Sequence, residues 1–254
     1  MLDPYTSLGI AIIVFYIPAV AVTAALVWQH GRPRMAWISL LLFACARLAS
    51  GCVLVPYTLN PSDRGLLAGV SVTINVGVVP LLLSTIGLIR IIHQTRFPTS
   101  EKLRKSIGLT RAAVLVGVGL LTAGSVLEST GGGSEQRSHG VSLGKAGYFI
   151  LAAVLGVILV FEVFLVRNWR SFPTMVKRCT TTIGISLPFQ VLRITYALLG
   201  FFHPERWSAL TGPIGRGIGM GLVMEYIVVI IYVVNGLVIE PVNSKGTSWN
   251  GELL

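Results

Sequence analysis

Seven apolar runs dominate the chain, each long enough to cross a bilayer and each nearly free of charge: about 8–28, 36–57, 66–92, 109–129, 146–167, 179–202 and 218–240. A spanning helix needs roughly 20 predominantly apolar residues, because in hydrocarbon every backbone N–H and C=O must be satisfied within the segment. The pattern predicts an all-α, polytopic seven-transmembrane-helix bundle, with 1–254 forming a single transmembrane domain. Composition points the same way. Hydrophobic residues make up 53% of the chain and charged ones 12%, whereas a soluble domain typically carries about 25% charge.

The net charge of +10 would suggest nucleic acid in a soluble protein, but basic cytoplasmic loops explain it here, and no nucleic-acid partner is expected. With the N-terminus outside, the inward loops and span ends hold Arg32, Arg34, Arg90, Arg96, Lys102, Arg104, Lys105, Arg111, Arg167, Arg170, Lys177, Arg178 and Lys245. The outward ones hold Arg64, Arg137, Lys145, Arg206 and Arg216. This asymmetry predicts an outer or lumenal N-terminus and a cytoplasmic C-terminus. The basic stretch TRFPTSEKLRKS lies where anionic lipid headgroups would meet it, although a topology signal alone also accounts for it. No basic region precedes the first apolar run, so no cleavable signal peptide is expected. The expected location is the endoplasmic reticulum or another endomembrane, with the plasma membrane as the alternative.

Charge inside a span needs a reason, since an ionisable side chain at the bilayer centre costs about 2.5–3.5 kcal/mol on insertion scales. Arg47, Arg193 and Glu225 are such residues, with Asn75, Gln190, Tyr16, Tyr196, Tyr232 and Asn235 as uncharged polar companions. Counting helical rise inward from the outer end of each span puts Tyr16, Arg47, Asn75, Arg193 and Glu225 all about 10–15 Å deep. In the sixth span Ser186, Gln190, Arg193 and Tyr196 share one face. The expectation is a polar cluster in the outer half of the bundle, with two arginines against one carboxylate and the excess charge met by carbonyls, water or an anionic ligand group. Glu162, five residues before Arg167 near the inner end of its span, is expected to snorkel or pair.

Several chemistries drop out. No lysine lies well inside a span, so a retinal Schiff base has no attachment point. The third span ends IRIIHQTR and the seventh reads YVVNGLVIEP, without the Asp-Arg-Tyr and Asn-Pro-x-x-Tyr motifs of rhodopsin-like receptors. The four histidines sit in loops or at span ends, which argues against a nucleophilic triad, and no metal-binding cluster can be assembled. Acid–base and electrostatic chemistry remain. Beside arginines Glu225 is a base or counter-ion, and in an apolar pocket it would keep its proton and donate it.

The segments YIPAV at 16–20, ARLASG at 46–51, NPSDRGLLAGVSVTINVGVVPLLLSTIGLI at 60–89, VLRITYALLGFF at 191–202 and MEYIVVIIYVVNGL at 224–237 resemble a family of fungal seven-helix membrane proteins sometimes found beside secondary-metabolite genes. The resemblance covers nearly the whole chain and implies a seven-span bundle but supplies no catalytic residues. In size and span count the chain is also similar to the membrane-bound meroterpenoid cyclases, which protonate an epoxide with buried acids. Their early-span Trp-Glu pair has no counterpart here, and Glu225 matches their late-span acid only in position. The lipid-translocating exporter-like family likewise has seven helices, but no motif places the chain in it.

Two functions follow as expectations. The first is a cyclase or isomerase that needs no cofactor and acts on a hydrophobic terpenoid- or polyketide-derived molecule in fungal secondary metabolism. Glu225 would be its acid or base, Arg47 and Arg193 would hold an anionic or oxygen-rich group, and Asn75, Tyr196, Gln190 and Tyr16 would line the substrate site. The second is a transporter or sensor that uses the same cavity to bind an anionic headgroup. In a third reading the cluster binds no ligand and only holds helices together.

Overall fold

The computed structural model describes residues 4–30, 35–60, 62–77, 79–130, 133–207 and 214–239. Its regular elements are helical throughout, and seven of its helical segments are long and apolar enough to span a membrane. We number them α1 (Pro4–Gln29), α2 (Met35–Leu59), α3 (Arg64–Val76), α4 (Val79–Arg96), α5 (Glu101–Thr130), α6 (Ser134–Arg167), α7 (Thr174–Phe202) and α8 (Met224–Val238). Helices α3 and α4 together make the third span, and a π-helical stretch, Gly217–Val223, leads into α8.

The helices extend beyond the apolar runs that announced them. The fourth and fifth apolar runs start at about 109 and 146, yet α5 already begins at Glu101 and α6 at Ser134. At 34 residues, α6 is about 50 Å long, well over the roughly 30 Å of a hydrocarbon core. Glycine contact carries the α5–α6 hairpin past the membrane. A Cβ on Gly124 would sit 2.7 Å from the Gly140 carbonyl oxygen, and one on Gly140 would sit 2.8 Å from the Glu128 nitrogen. Lipid offers no hydrophobic drive for helices to associate, so backbones brought this close by small residues supply van der Waals contact instead. Gly117 of the LVGVGLL segment packs the same seam against Gly147, while Gly119 faces open space.

Helix α4 occupies the middle of the bundle, touching α2, α5, α6 and α7. It is buried on nearly every side from Val79 to His93, as expected of a helix apolar all round. The peripheral helices turn Val14, Ile17, Val160, Val163 and Ile230 outward toward lipid. In the third span α3 ends at Val76, and Gly77 after it keeps a helical backbone conformation. Asp63 caps the start of α3, its Oδ1 accepting from the backbone N–H of Gly65 at 2.8 Å. Pro80 is the second residue of α4. Pro18 and Pro188 sit inside the continuous helices α1 and α7.

Candidate functional site

Three helices each bring one charge to a common point. Arg47 comes from the middle of α2, Arg193 from α7, and Glu225 from the first turn of α8. All three are buried, with Glu225 only 1% exposed. Both guanidinium groups converge on a single carboxylate oxygen: Arg47 donates from Nη2, and Arg193 donates from Nε at 2.6 Å, to Glu225 Oε1. Glu225 is placed as the counter-ion of both arginines. The trio carries a net positive charge away from water.

The third span helps hold that charge. Arg193 Nη2 donates to the Ile74 carbonyl at 3.4 Å. Ile74 lies in the last turn of α3, facing the cluster. Gly77, just past that turn, lies flat against Arg47: a Cβ there would fall 2.6 Å from Cζ and 2.7 Å from Nη2. A glycine is thus required for the guanidinium to sit where it does. Aromatic rings complete the wall, with Phe43 5.8 Å from the Arg47 guanidinium carbon and Tyr196 5.9 Å from that of Arg193.

Four polar atoms in this region are buried without a hydrogen-bond partner among the described residues: Arg47 Nε, Glu225 Oε2, Tyr16 Oη and Tyr226 Oη. Tyr16 and Tyr226 lean together edge to face, 5.5 Å between centroids, and Phe15 stacks on Tyr226 at 3.8 Å. A pocket of about 60 Å³ reaches the charged trio, lined also by Tyr5, Leu8, Ser50, Tyr196 and Gly221. Tyr5 starts α1, Tyr196 lies near the end of α7, and Gly217, also on the pocket wall, starts the seventh span. The pocket therefore opens toward the end of the bundle that the sequence predicts to be outside. Its floor includes the π-helical stretch Gly217–Val223, and such widened turns recur at functional sites.

Of the residues expected at the site, Arg47, Arg193 and Glu225 are brought into direct contact, Tyr196 forms a wall, and Tyr16 stands beside Tyr226. The Asn75 side chain lies outside the described residues. Gln190 goes elsewhere. It joins Thr85, Ser186 and Tyr232 in a neutral network, donating from Nε2 to Tyr232 Oη at 2.8 Å, while Tyr232 Oη lies 2.6 Å from Thr85 Oγ1 and 3.0 Å from Ser186 Oγ. Tyr226, Gly77 and the Ile74 carbonyl were not anticipated. Tyr226 is next to Glu225 in sequence, but a one-residue offset turns it about 100° around the helix, and only its stacking on Phe15 returns it to the cluster.

Glu162 overturns its expectation. It neither snorkels nor pairs: it is 7% exposed, has no ion pair among the described residues, and its Oε2 lacks a hydrogen-bond partner there. A five-residue offset puts it and Arg167 on different faces of α6, and Arg167 is exposed while Glu162 packs beside Gly184 of α7.

The sequence profile of a domain of unknown function, DUF7702, matches residues 2–242, and the chain belongs to that family. Among curated proteins no relative matches.

Proposed function

We propose that this DUF7702 protein is a multi-pass membrane protein that binds an amphipathic small molecule from the outer or lumenal side, through an anionic or oxygen-rich group, as a transporter or sensor. The observation that carries this reading is the buried pair of arginines on one carboxylate oxygen at the end of an open pocket, with Arg47 Nε still unpartnered among the described residues. An anionic group placed there would offset the excess positive charge and accept the spare N–H. Pocket size favours recognition of a functional group over enclosure of a whole substrate. About 60 Å³ suits a carboxylate or phosphate, whereas sites that engulf a drug-sized molecule run to roughly 300–1,000 Å³. The resemblance to fungal seven-helix proteins leads us to place the ligand among lipids and terpenoid- or polyketide-derived metabolites, in an endomembrane.

An isomerase is the second reading, and one atom favours it. Glu225 Oε2 is buried and unpartnered among the described residues, so an ionised Glu225 could take a proton from a bound substrate. Proton donation of the kind that starts epoxide cyclisation is the less suitable role for a carboxylate held by two guanidiniums.

The test compares decanoate with decanol as ligands of the detergent-purified protein, read by thermal unfolding. Decanoate is expected to raise the midpoint by several degrees, decanol is not, and Arg47→Gln should abolish the difference. Equal shifts from acid and alcohol would sink the anion-binding reading. Accumulation of an isomeric precursor in the native host carrying Glu225→Gln would move the assignment to the isomerase.

A further inference from the structure

A second and larger cavity, about 640 Å³, lies between α2, α4 and α5 at the opposite end of the bundle. It shares no lining residue with the pocket at Glu225. Its walls are graded along their length. On α4 they run from Leu83 and Ile86 through Arg90 to His93 and Gln94, and on α5 from Leu115 back through Arg111 to Arg104. Leu83 and Gln94 are about 16 Å apart along the helix axis. The apolar residues therefore lie deep, and the charged ones lie where α4 ends and α5 begins. None of the lining residues is acidic; the nearest carboxylate is the exposed one of Glu101, 3.8 Å from Arg104 Nη2 and shared with Lys105. The rim is also held in place, since the His93 ring contacts the Ser100 carbonyl at 3.1 Å and fixes the turn between the two helices.

We propose that this cavity binds an anionic phospholipid, with its phosphate held by Arg90, Arg104 and Arg111 and one acyl chain laid against Leu42, Leu83 and Leu115. The argument rests on three matching features. Guanidinium groups on two helices form a cationic end that suits a phosphate, which each can engage through paired N–H donors. The apolar end points into the membrane, as an acyl chain does. The basic end lies at the surface that the charge asymmetry assigns to the cytoplasm, where anionic lipids concentrate. A volume within the usual range of small-molecule sites leaves room for a headgroup and the upper part of a chain. The inference is independent of the ligand proposed at Glu225.

The test uses the full chain in phosphatidylcholine nanodiscs doped with phosphatidic acid, counting retained lipids by native mass spectrometry. The wild type should retain phosphatidic acid over phosphatidylcholine by about tenfold or more, and the Arg90→Gln, Arg111→Gln double variant should lose that preference. Gly108→Phe provides a check that leaves every arginine in place. A Cβ at Gly108 meets open space, and the position lines the cavity, so the ring should expel the lipid without disturbing the helix. Undiminished retention in both variants, or equal retention of the two lipids by the wild type, would overturn the proposal. So would displacement of phosphatidic acid by inorganic phosphate as effective as by the lipid itself, since that describes a free-phosphate site.

Discussion

Helices α7 and α8 each contribute to two polar groups, and the two are built differently. Gln190 and Tyr232 join Thr85 and Ser186 in a neutral network in which every hydroxyl and the amide find partners within the group or on their own helix backbone. About one helical turn away along α7, Arg193 meets Arg47 and Glu225 in a cluster that keeps a net charge and leaves Arg47 Nε and Glu225 Oε2 without a partner among the described residues. Such neutral contacts between membrane helices average about 0.6 kcal/mol, enough to hold helices in register. The cluster differs in kind from such neutral glue. A device that only joined helices would balance its charge and satisfy its atoms, because each open polar atom in hydrocarbon costs free energy.

The comparison is most exposed at Glu225. Replacing it with Gln leaves two guanidiniums buried without their counter-charge, and the expected loss is about 3–5 kcal/mol of stability. It would be read as a lowered unfolding midpoint in mild detergent or, in the extreme, as failure to accumulate folded protein. Tyr232→Phe strips the hub from the neutral network but allows Gln190 to keep Thr85 and Ser186. Its expected cost is smaller, about 1–2 kcal/mol by the same assay. If the two variants lost equal stability, the charged cluster would be holding helices together no differently from the neutral one, and the case for a site would weaken.

How much of this was legible in the sequence follows from what each feature depends on. The spans were readable because length and apolarity alone decide whether a segment can cross a bilayer. Their ends were not: the turns added at the start of α6 pack where Gly140 meets Gly124 across the hairpin, and those added at the start of α5, where Glu101 pairs with Lys105 at 3.2 Å, lie in a charged stretch that hydropathy does not single out. Arg47, Arg193 and Glu225 could be matched by depth, because helical rise converts residue number into a level in the membrane. Depth does not fix azimuth between helices. That is why Gln190, on the same face of α7 as Arg193, was expected in the cluster but turns to Tyr232 instead. Glu162 misled for a related reason: nearness to Arg167 in sequence was taken as nearness in space, while five residues around a helix point elsewhere. Gly77 carries no signal in the sequence, and its role shows only in the Arg47 guanidinium lying on it.

The smallest expected effect on stability belongs to Tyr226, and it separates the two kinds of polar group most finely. Its hydroxyl is buried but has no partner among the described residues, while its ring stacks on Phe15 and meets Tyr16 edge to face. Tyr226→Phe keeps the rings and removes only the oxygen. With no hydrogen bond lost, the unfolding midpoint should stay within the about 0.5 kcal/mol scatter of neutral substitutions, in contrast to Tyr232→Phe. The same variant should nevertheless reduce the stabilisation by decanoate if the hydroxyl turns toward a bound anion, because a neutral donor to a charged acceptor is worth about 1.5–3 kcal/mol. Unchanged stability with weakened binding would identify an atom kept for a ligand. A stability loss matching that of Tyr232→Phe would mean that the hydroxyl is engaged within the protein, and the distinction between the closed network and the open cluster would fail at that atom.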